Sequence, residues 1–179
     1  MNKLLILGII TFTFFNCKSP EARRPITVSS GSFIDVSVER NKLLNEKEES
    51  LIESIISKDT TKEYIASENG FWYFYNTKVE NDSIATPDFG DIVNFDYNTK
   101  QLNGNIIYSK EENKTQNYAM DQQELFAGLR EGLKLMKAGE TVTFLFPSQK
   151  AFGYYGDNNK IGTNVPLMCE VTINSITEN

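Results

Sequence analysis

Residues 128–153, GLREGLKLMKAGETVTFLFPSQKAFG, decide the fold. Leu125, Leu129, Leu133 and Met136 recur with the 3.6-residue period of a helix that buries one face. Asp121, followed three residues later by Glu124, has the form of a capping box at the helix start. Gly139 suits the left-handed position that closes a helix. Beyond it Val142, Phe144 and Phe146 alternate with Thr141, Thr143 and Leu145, the period of a strand with one buried face. Ala151-Phe152-Gly153 then turns a corner. One helix is expected to pack on one sheet.

The flanks supply the rest of that sheet. Residues 91–97 alternate with Val93, Phe95 and Tyr97 on one face, and 167–173 with Leu167, Cys169, Val171 and Ile173 facing in. Residues 64–79 read as an aromatic strand with side chains on both faces. Asn103-Gly104 is a hairpin signal. Residues 80–89 form a polar turn region, and the charged segment 109–116 reads as a mobile loop. The sum is an α+β architecture, an antiparallel β-sheet wrapped over one α-helix.

An N-terminal helical extension is expected at 33–60. Leu44, Leu51 and Ile55 share a stripe, with Ile52 and Ile56 beside it. Asn45 and Glu48 suggest a second capping box, and Glu46, Lys47, Glu48, Glu49 and Glu53 are expected to face water. Such a helix either docks on its own domain or mediates oligomer or partner contacts. Residues 17–32, rich in Ser, Pro, Arg and Gly, read as a flexible tether. Before them, Lys3 and the apolar run from Leu4 to Phe15 fit a secretory signal over 1–16, too short to span a bilayer.

Composition narrows the chemistry. The chain has 179 residues, with 40% hydrophobic and 23% charged residues and a net charge of −6. That charge argues against a nucleic-acid partner. Histidine is absent, which removes His-based triads, His-ligated metals and a His general base. Cys17 and Cys169 lack metal-site spacing. No metal and no cofactor is called for.

The wording of the central run goes further. G-L-R-E-G-L-x-x-M-x-x-G-E, a strand, and then A-F-G-Y-Y-G resembles the core of the FKBP-type peptidyl-prolyl cis-trans isomerases. The resemblance extends upstream to Gly90-Asp-Ile-Val-Asn-Phe-Asp-Tyr97 and downstream to Ile161-Gly-Thr-Asn-Val-Pro-Leu-Met-Cys-Glu-Val171. It implies an FKBP-like isomerase domain over 61–179 that acts on proline-containing client proteins. Phe14-Phe-Asn-Cys17 resembles a bacterial lipobox, which implies acylation of Cys17 and a lipid-anchored lipoprotein of the cell envelope, expected to face the periplasm. The stretch from Cys17 to Pro25 and Phe71-Trp-Tyr resemble the gliding-motility-associated FKBP-type lipoproteins of gliding bacteria.

Carried over position by position, the resemblance implies a pocket with Tyr97 on one wall. Leu125 and Phe126 stand where the helix begins and a backbone N–H binds substrate. Leu129 floors the pocket, Phe152 takes the tyrosine of the family's A-Y-G, Ile161 belongs to the flap, and Cys169 replaces a phenylalanine. Ile107 and Tyr108 stand where the family has Phe-Asp. Phe152 therefore lacks the usual hydroxyl donor, with Tyr154 or Tyr155 as candidate replacements, and Tyr108 removes a carboxylate. Three functions fit such a pocket: an isomerase, a chaperone or scaffold with weak or no isomerase activity, and a small-molecule carrier.

Overall fold

The structure is a computed structural model that describes residues 31–81 and 83–179. The signal, Cys17 and most of the tether lie outside the described residues. The body that carries the sheet comprises Ser37–Asn179.

Helix α1, Gly31–Lys58, comes first. Strands β1 (Ile65–Ala66), β2 (Trp72–Thr77), β3 (Ile92–Gln101) and β4 (Ile106–Tyr108) follow. After them come a one-turn helix α2 (Lys110–Asn113), β5 (Gln116–Ala119), helix α3 (Ala127–Leu133), β6 (Thr141–Phe146), a 3-10 turn (Ser148–Lys150) and β7 (Leu167–Thr177). One seven-stranded sheet runs in the order β1-β2-β6-β7-β3-β4, with β5 also paired to β3. Every pairing is antiparallel.

The concave face of the sheet packs on α3. Val93 and Phe95 of β3, Val142, Phe144 and Phe146 of β6, and Leu167, Cys169, Val171 and Ile173 of β7 meet Leu129, Leu133 and Met136 in one cluster. The two glycines of G-L-R-E-G make this fit possible. A Cβ on Gly128 would stand 2.5 Å from the Phe146 ring and 2.7 Å from the Lys150 carbonyl, and one on Gly132 would stand 2.9 Å from the Phe144 ring. Phe144 and Phe146 stack with centroids 5.4 Å apart. Glu140, only 2% exposed, accepts from the Val79 and Lys137 N–H groups, so the carboxylate buried at the start of β6 is bonded at both oxygens.

Several local readings need correction. Asp121 does not cap α3: it takes a positive φ of 59° in a turn, and the helix begins six residues later behind Phe126, without a side-chain cap. The helix also ends early, at Leu133. Tightened turns, Leu135 N–H to Gly132 O and Met136 N–H to Leu133 O, carry the chain to Gly139 and still leave Met136 buried. The segment read as a mobile loop folds into α2, held by a Ser109–Glu112 capping box and a Lys110–Glu170 ion pair.

The extension departs most from expectation. Asn45 and Glu48 lie inside the continuous helix α1 and cap nothing. Glu48, expected in water, is 4% exposed, while Leu51, expected on the buried stripe, is 49% exposed. The buried face runs through Glu48 and Ile52 instead. The reason is long-range: Glu48 is bonded to Ser148, directly after β6. Farther along, Leu51 and Ile55 border an apolar cleft with Leu102, Val165 and Pro166. Thr143 and Leu145, which alternate with the core-facing residues of β6, are buried as well.

Candidate functional site

The chain between β5 and β6 builds one wall of a cleft. Positive φ at Asp121 turns the chain out of β5. Tyr118 donates its hydroxyl to Gln123 O, and Gln123 Oε1 accepts from Ala119 N–H, which fixes the loop. Leu125 and Phe126 then stand before α3, whose opening N–H groups meet no side-chain cap. Across the cleft, β3 supplies Tyr97, and the corner after the 3-10 turn supplies Phe152. These four residues line a cavity of 690 Å³, together with Gln116, Gln123, Glu124 and Arg130.

The walls are aromatic and packed. Phe126 meets Phe152 at 5.1 Å between centroids and Phe146 edge-on at 5.5 Å. Tyr97 packs on Phe95 at 5.6 Å, and its carbonyl accepts from the Asn113 side chain at 3.1 Å. The Tyr97 hydroxyl has no hydrogen-bond partner among the described residues. Burial, with Cys169 and Tyr108 nearby, raises its pKa above the ordinary tyrosine value, so it remains a proton donor. At the rim, Arg130 and Lys134 pair with Asp121 and Glu131.

Other residues singled out from sequence lie around the cavity rather than in its lining. Leu129 and Cys169 are fully buried in the core cluster, and Ile161 is 3% exposed. Burial pushes the Cys169 thiol up to about 12, against a lowering contact from Thr99. Ile107 packs against the core. Tyr108 turns toward the flap, the loop at 153–164, and donates to Asp157 at 2.5 Å. Tyr154 and Tyr155 stack edge-on against each other, 63% and 83% exposed. Tyr154 borders a cleft with Asn41 and Asn45 of α1.

The flap is tied down by its own carboxylate. Asp157 accepts from the Asn159 and Ile161 N–H groups at 2.8 Å each, besides the Tyr108 hydroxyl. Burial acts to raise this carboxyl, but those bonds outweigh it and hold the pKa below the usual aspartate value. Gly156 has φ +66°, and a Cβ there would stand 2.2 Å from Ile161 O, so only glycine fits. Lys160 reaches Glu112, the Ile107 carbonyl and the face of the Tyr108 ring.

Four cavity residues escaped the sequence reading. Arg130 follows Phe126 by one helical turn, so i,i+4 spacing could have found it. Gln116 opens β5, in the segment read as a loop, and Gln123 and Glu124 sit on irregular chain; none of the three carries a periodic signal. Among the described residues no cluster of acidic or cysteine side chains could hold a metal ion.

An antiparallel sheet wrapped over one short helix, with an aromatic cleft at the helix start and a flap beside it, is the architecture of FKBP-type rotamase domains. The profile of the family described as FKBP-type peptidyl-prolyl cis-trans isomerase matches residues 85–174, and the chain belongs to that family. It is 27% identical over 132 residues to the probable FKBP-type peptidyl-prolyl cis-trans isomerase FkpA of Neisseria meningitidis serogroup B. That match covers 74% of this chain and 46% of the relative, so the chain spans under half the length of that curated protein. Among solved structures it resembles a peptidyl-prolyl cis-trans isomerase of Pseudomonas syringae pv. tomato, with a TM-score of 0.59, 18% identity and coverage of 76% of this chain and 96% of that one. The N-terminal domain of FKBP42 from Arabidopsis thaliana matches with a TM-score of 0.56 and 17% identity, over 65% of this chain and 93% of the other. These two likenesses establish the fold.

Proposed function

We propose that this chain is a peptidyl-prolyl cis-trans isomerase for exported, proline-containing client proteins, held to a bilayer through acylated Cys17. The observation that carries the reading is the 690 Å³ cavity with Tyr97, Leu125, Phe126 and Phe152 in its walls. Rotation about a prolyl amide crosses a barrier of roughly 18–20 kcal/mol because conjugation is lost. No bond breaks, and no proton leaves. A catalyst needs an apolar cleft that favours the twisted, less polar amide and a donor or two for carbonyl oxygens. Phe126 and Phe152 supply the apolar walls. The Tyr97 hydroxyl and the uncapped N–H groups that open α3 supply the donors. Tyr97 thereby takes the part that the missing hydroxyl at Phe152 leaves open.

The lipobox-like sequence supports an envelope lipoprotein, and the likeness of 17–25 and Phe71-Trp-Tyr to gliding-associated lipoproteins supports a role in gliding motility. Val38 and Leu43, 60% and 57% exposed on α1, leave that helix able to contact a second copy. A scaffold reading draws on one observation: the Tyr108 hydroxyl is spent on Asp157, so no carboxylate polarises the cleft from that position.

The test is a proline-peptide isomerisation assay on the full chain. Wild type should accelerate exchange. Tyr97→Phe should lower turnover roughly fivefold, the equivalent of a hydrogen bond worth about 1 kcal/mol. Phe152→Tyr in that background should restore it. No acceleration by wild type or by either variant, with the domain folded, would leave the scaffold in place of the enzyme.

A further inference from the structure

The segment 85–174 that matches the family leaves out α1, yet α1 reaches the turn that leads to Phe152, through an exposed Asn45–Gln149 bond and through one buried residue. Glu48 is 4% exposed and Ser148 is 1% exposed. Glu48 Oε2 accepts from the Ser148 N–H at 2.7 Å, and Oε1 accepts from the Ser148 hydroxyl at 2.8 Å. Among the described residues Glu48 has no basic partner. Both oxygens of a buried carboxylate are therefore spent on a single serine.

That serine is the anchor of the corner bearing Phe152. Its carbonyl accepts from the Ala151 N–H at 3.0 Å and from the Gly153 N–H at 2.9 Å. These amides flank Phe152 on either side. The Gly153 carbonyl in turn accepts from Asn164 N–H at 2.8 Å, which closes the base of the flap. A shift of Ser148 therefore moves both neighbours of Phe152 and the root of the flap together. Simple docking of α1 does not need such a contact, because fully buried Ile52 already provides apolar burial. A buried carboxylate aimed at one N–H and one O–H adds direction: it fixes where the turn sits.

We propose that α1 is a working part of the site and that Glu48 is the positioning residue that holds Phe152 in the cavity wall. The proposal rests on the isomerase reading for its activity readout only. Misplacing a wall by about an ångström can cost up to roughly a hundredfold in rate, so a partial loosening through one bonded pair is expected to cost about tenfold.

The experiment compares wild type, Glu48→Ala, Glu48→Gln, Ser148→Ala and Ile52→Ala in the full chain, at a temperature where all are folded. It reads turnover, affinity for an Ala-Pro peptide, the NMR signals of the Phe152 ring and the Gly153 amide, and the unfolding midpoint. Glu48→Ala should lower turnover about tenfold, weaken the peptide and shift both signals. Glu48→Gln keeps an acceptor for the N–H and a donor for the hydroxyl oxygen, and should recover most of the loss. Ile52→Ala loosens the same helix without touching Ser148; it should lower the midpoint yet leave turnover and peptide affinity within about twofold of wild type. If Glu48→Ala does not fold, Ser148→Ala, which deletes one of the two bonds, should show a smaller change in the same readouts. The proposal is overturned if the Glu48 and Ser148 variants move only the midpoint, or if Ile52→Ala and Glu48→Ala lower turnover alike. A wild type without turnover sinks the isomerase reading alone, and peptide affinity and the two NMR signals then decide the proposal.

Discussion

Tyr108 donates its hydroxyl to Asp157, 49 residues further along the chain, and with that bond fastens the flap to β4. The Lys160 N–H donates back to the same hydroxyl oxygen at 3.2 Å. A residue that stands where relatives carry a carboxylate thus meets a carboxylate supplied by the flap.

This arrangement makes the flap acid-sensitive. The Asp157 pKa is held down by its hydrogen bonds against burial, and Glu112 is lowered first by its bond from Lys160. A depressed carboxyl contributes stability that is fully present above its unfolded value, about 3.9 for aspartate and 4.3 for glutamate, and lost as pH falls through the folded value. Hydrogen exchange at the Asn159 and Ile161 amides should therefore quicken, beyond its intrinsic pH dependence, as pH drops below about 4. Asp157→Asn should weaken protection at neutral pH and remove most of that acid response. Protection that stays constant through the acid range in wild type would contradict the assignment.

Leu133 is fully buried between α3 and the sheet. Leu133→Ala should destabilise the domain by about 2–5 kcal/mol, the usual range for truncating a buried leucine. Denaturant unfolding would read this as a clear drop in midpoint at unchanged slope. An unchanged midpoint would mean that the helix does not present this face to the core.

Cys169 is fully buried with its thiol pushed up to about 12. The thiolate is the reactive form, so native Cys169 should resist a maleimide at neutral pH and react promptly once the chain is unfolded. Labelling of the native protein at the unfolded rate would show that the core around β7 opens.

Cys17→Ser should release the protein from the membrane fraction or leave the precursor uncleaved. Membrane recovery and gel mobility identical to wild type would remove the lipid anchor from the account.

Elements with short-range causes were legible from sequence. The alternation of β6 and β7 placed Phe144, Phe146, Cys169 and Val171 in the core, where they are. The stripe Leu129, Leu133 and Met136 held even though the helix gives way to tightened turns after Leu133, because those turns keep nearly the same spacing. Long-range causes were not legible. Glu48 reads as a solvent residue because its partner lies 100 positions away. Asp121 and Glu124 satisfy the capping-box spacing, yet the loop needed a left-handed residue at Asp121 to leave β5. In the cleft, Tyr97, Leu125, Phe126 and Phe152 were reachable through the family's wording. Gln116, Gln123 and Glu124 required the fold.

The strand order has one more consequence. The family match begins at residue 85, after β1 and β2, and β2 lies between β1 and β6 in the sheet. A chain cut to the matched segment would leave β6 as a bare edge, its N–H and C=O groups at 142–145 stripped of their partners on β2. Unpaired edges of this kind recruit strands from other molecules. The aromatic segment before the matched region thus covers a strand of the core that would otherwise be an open edge.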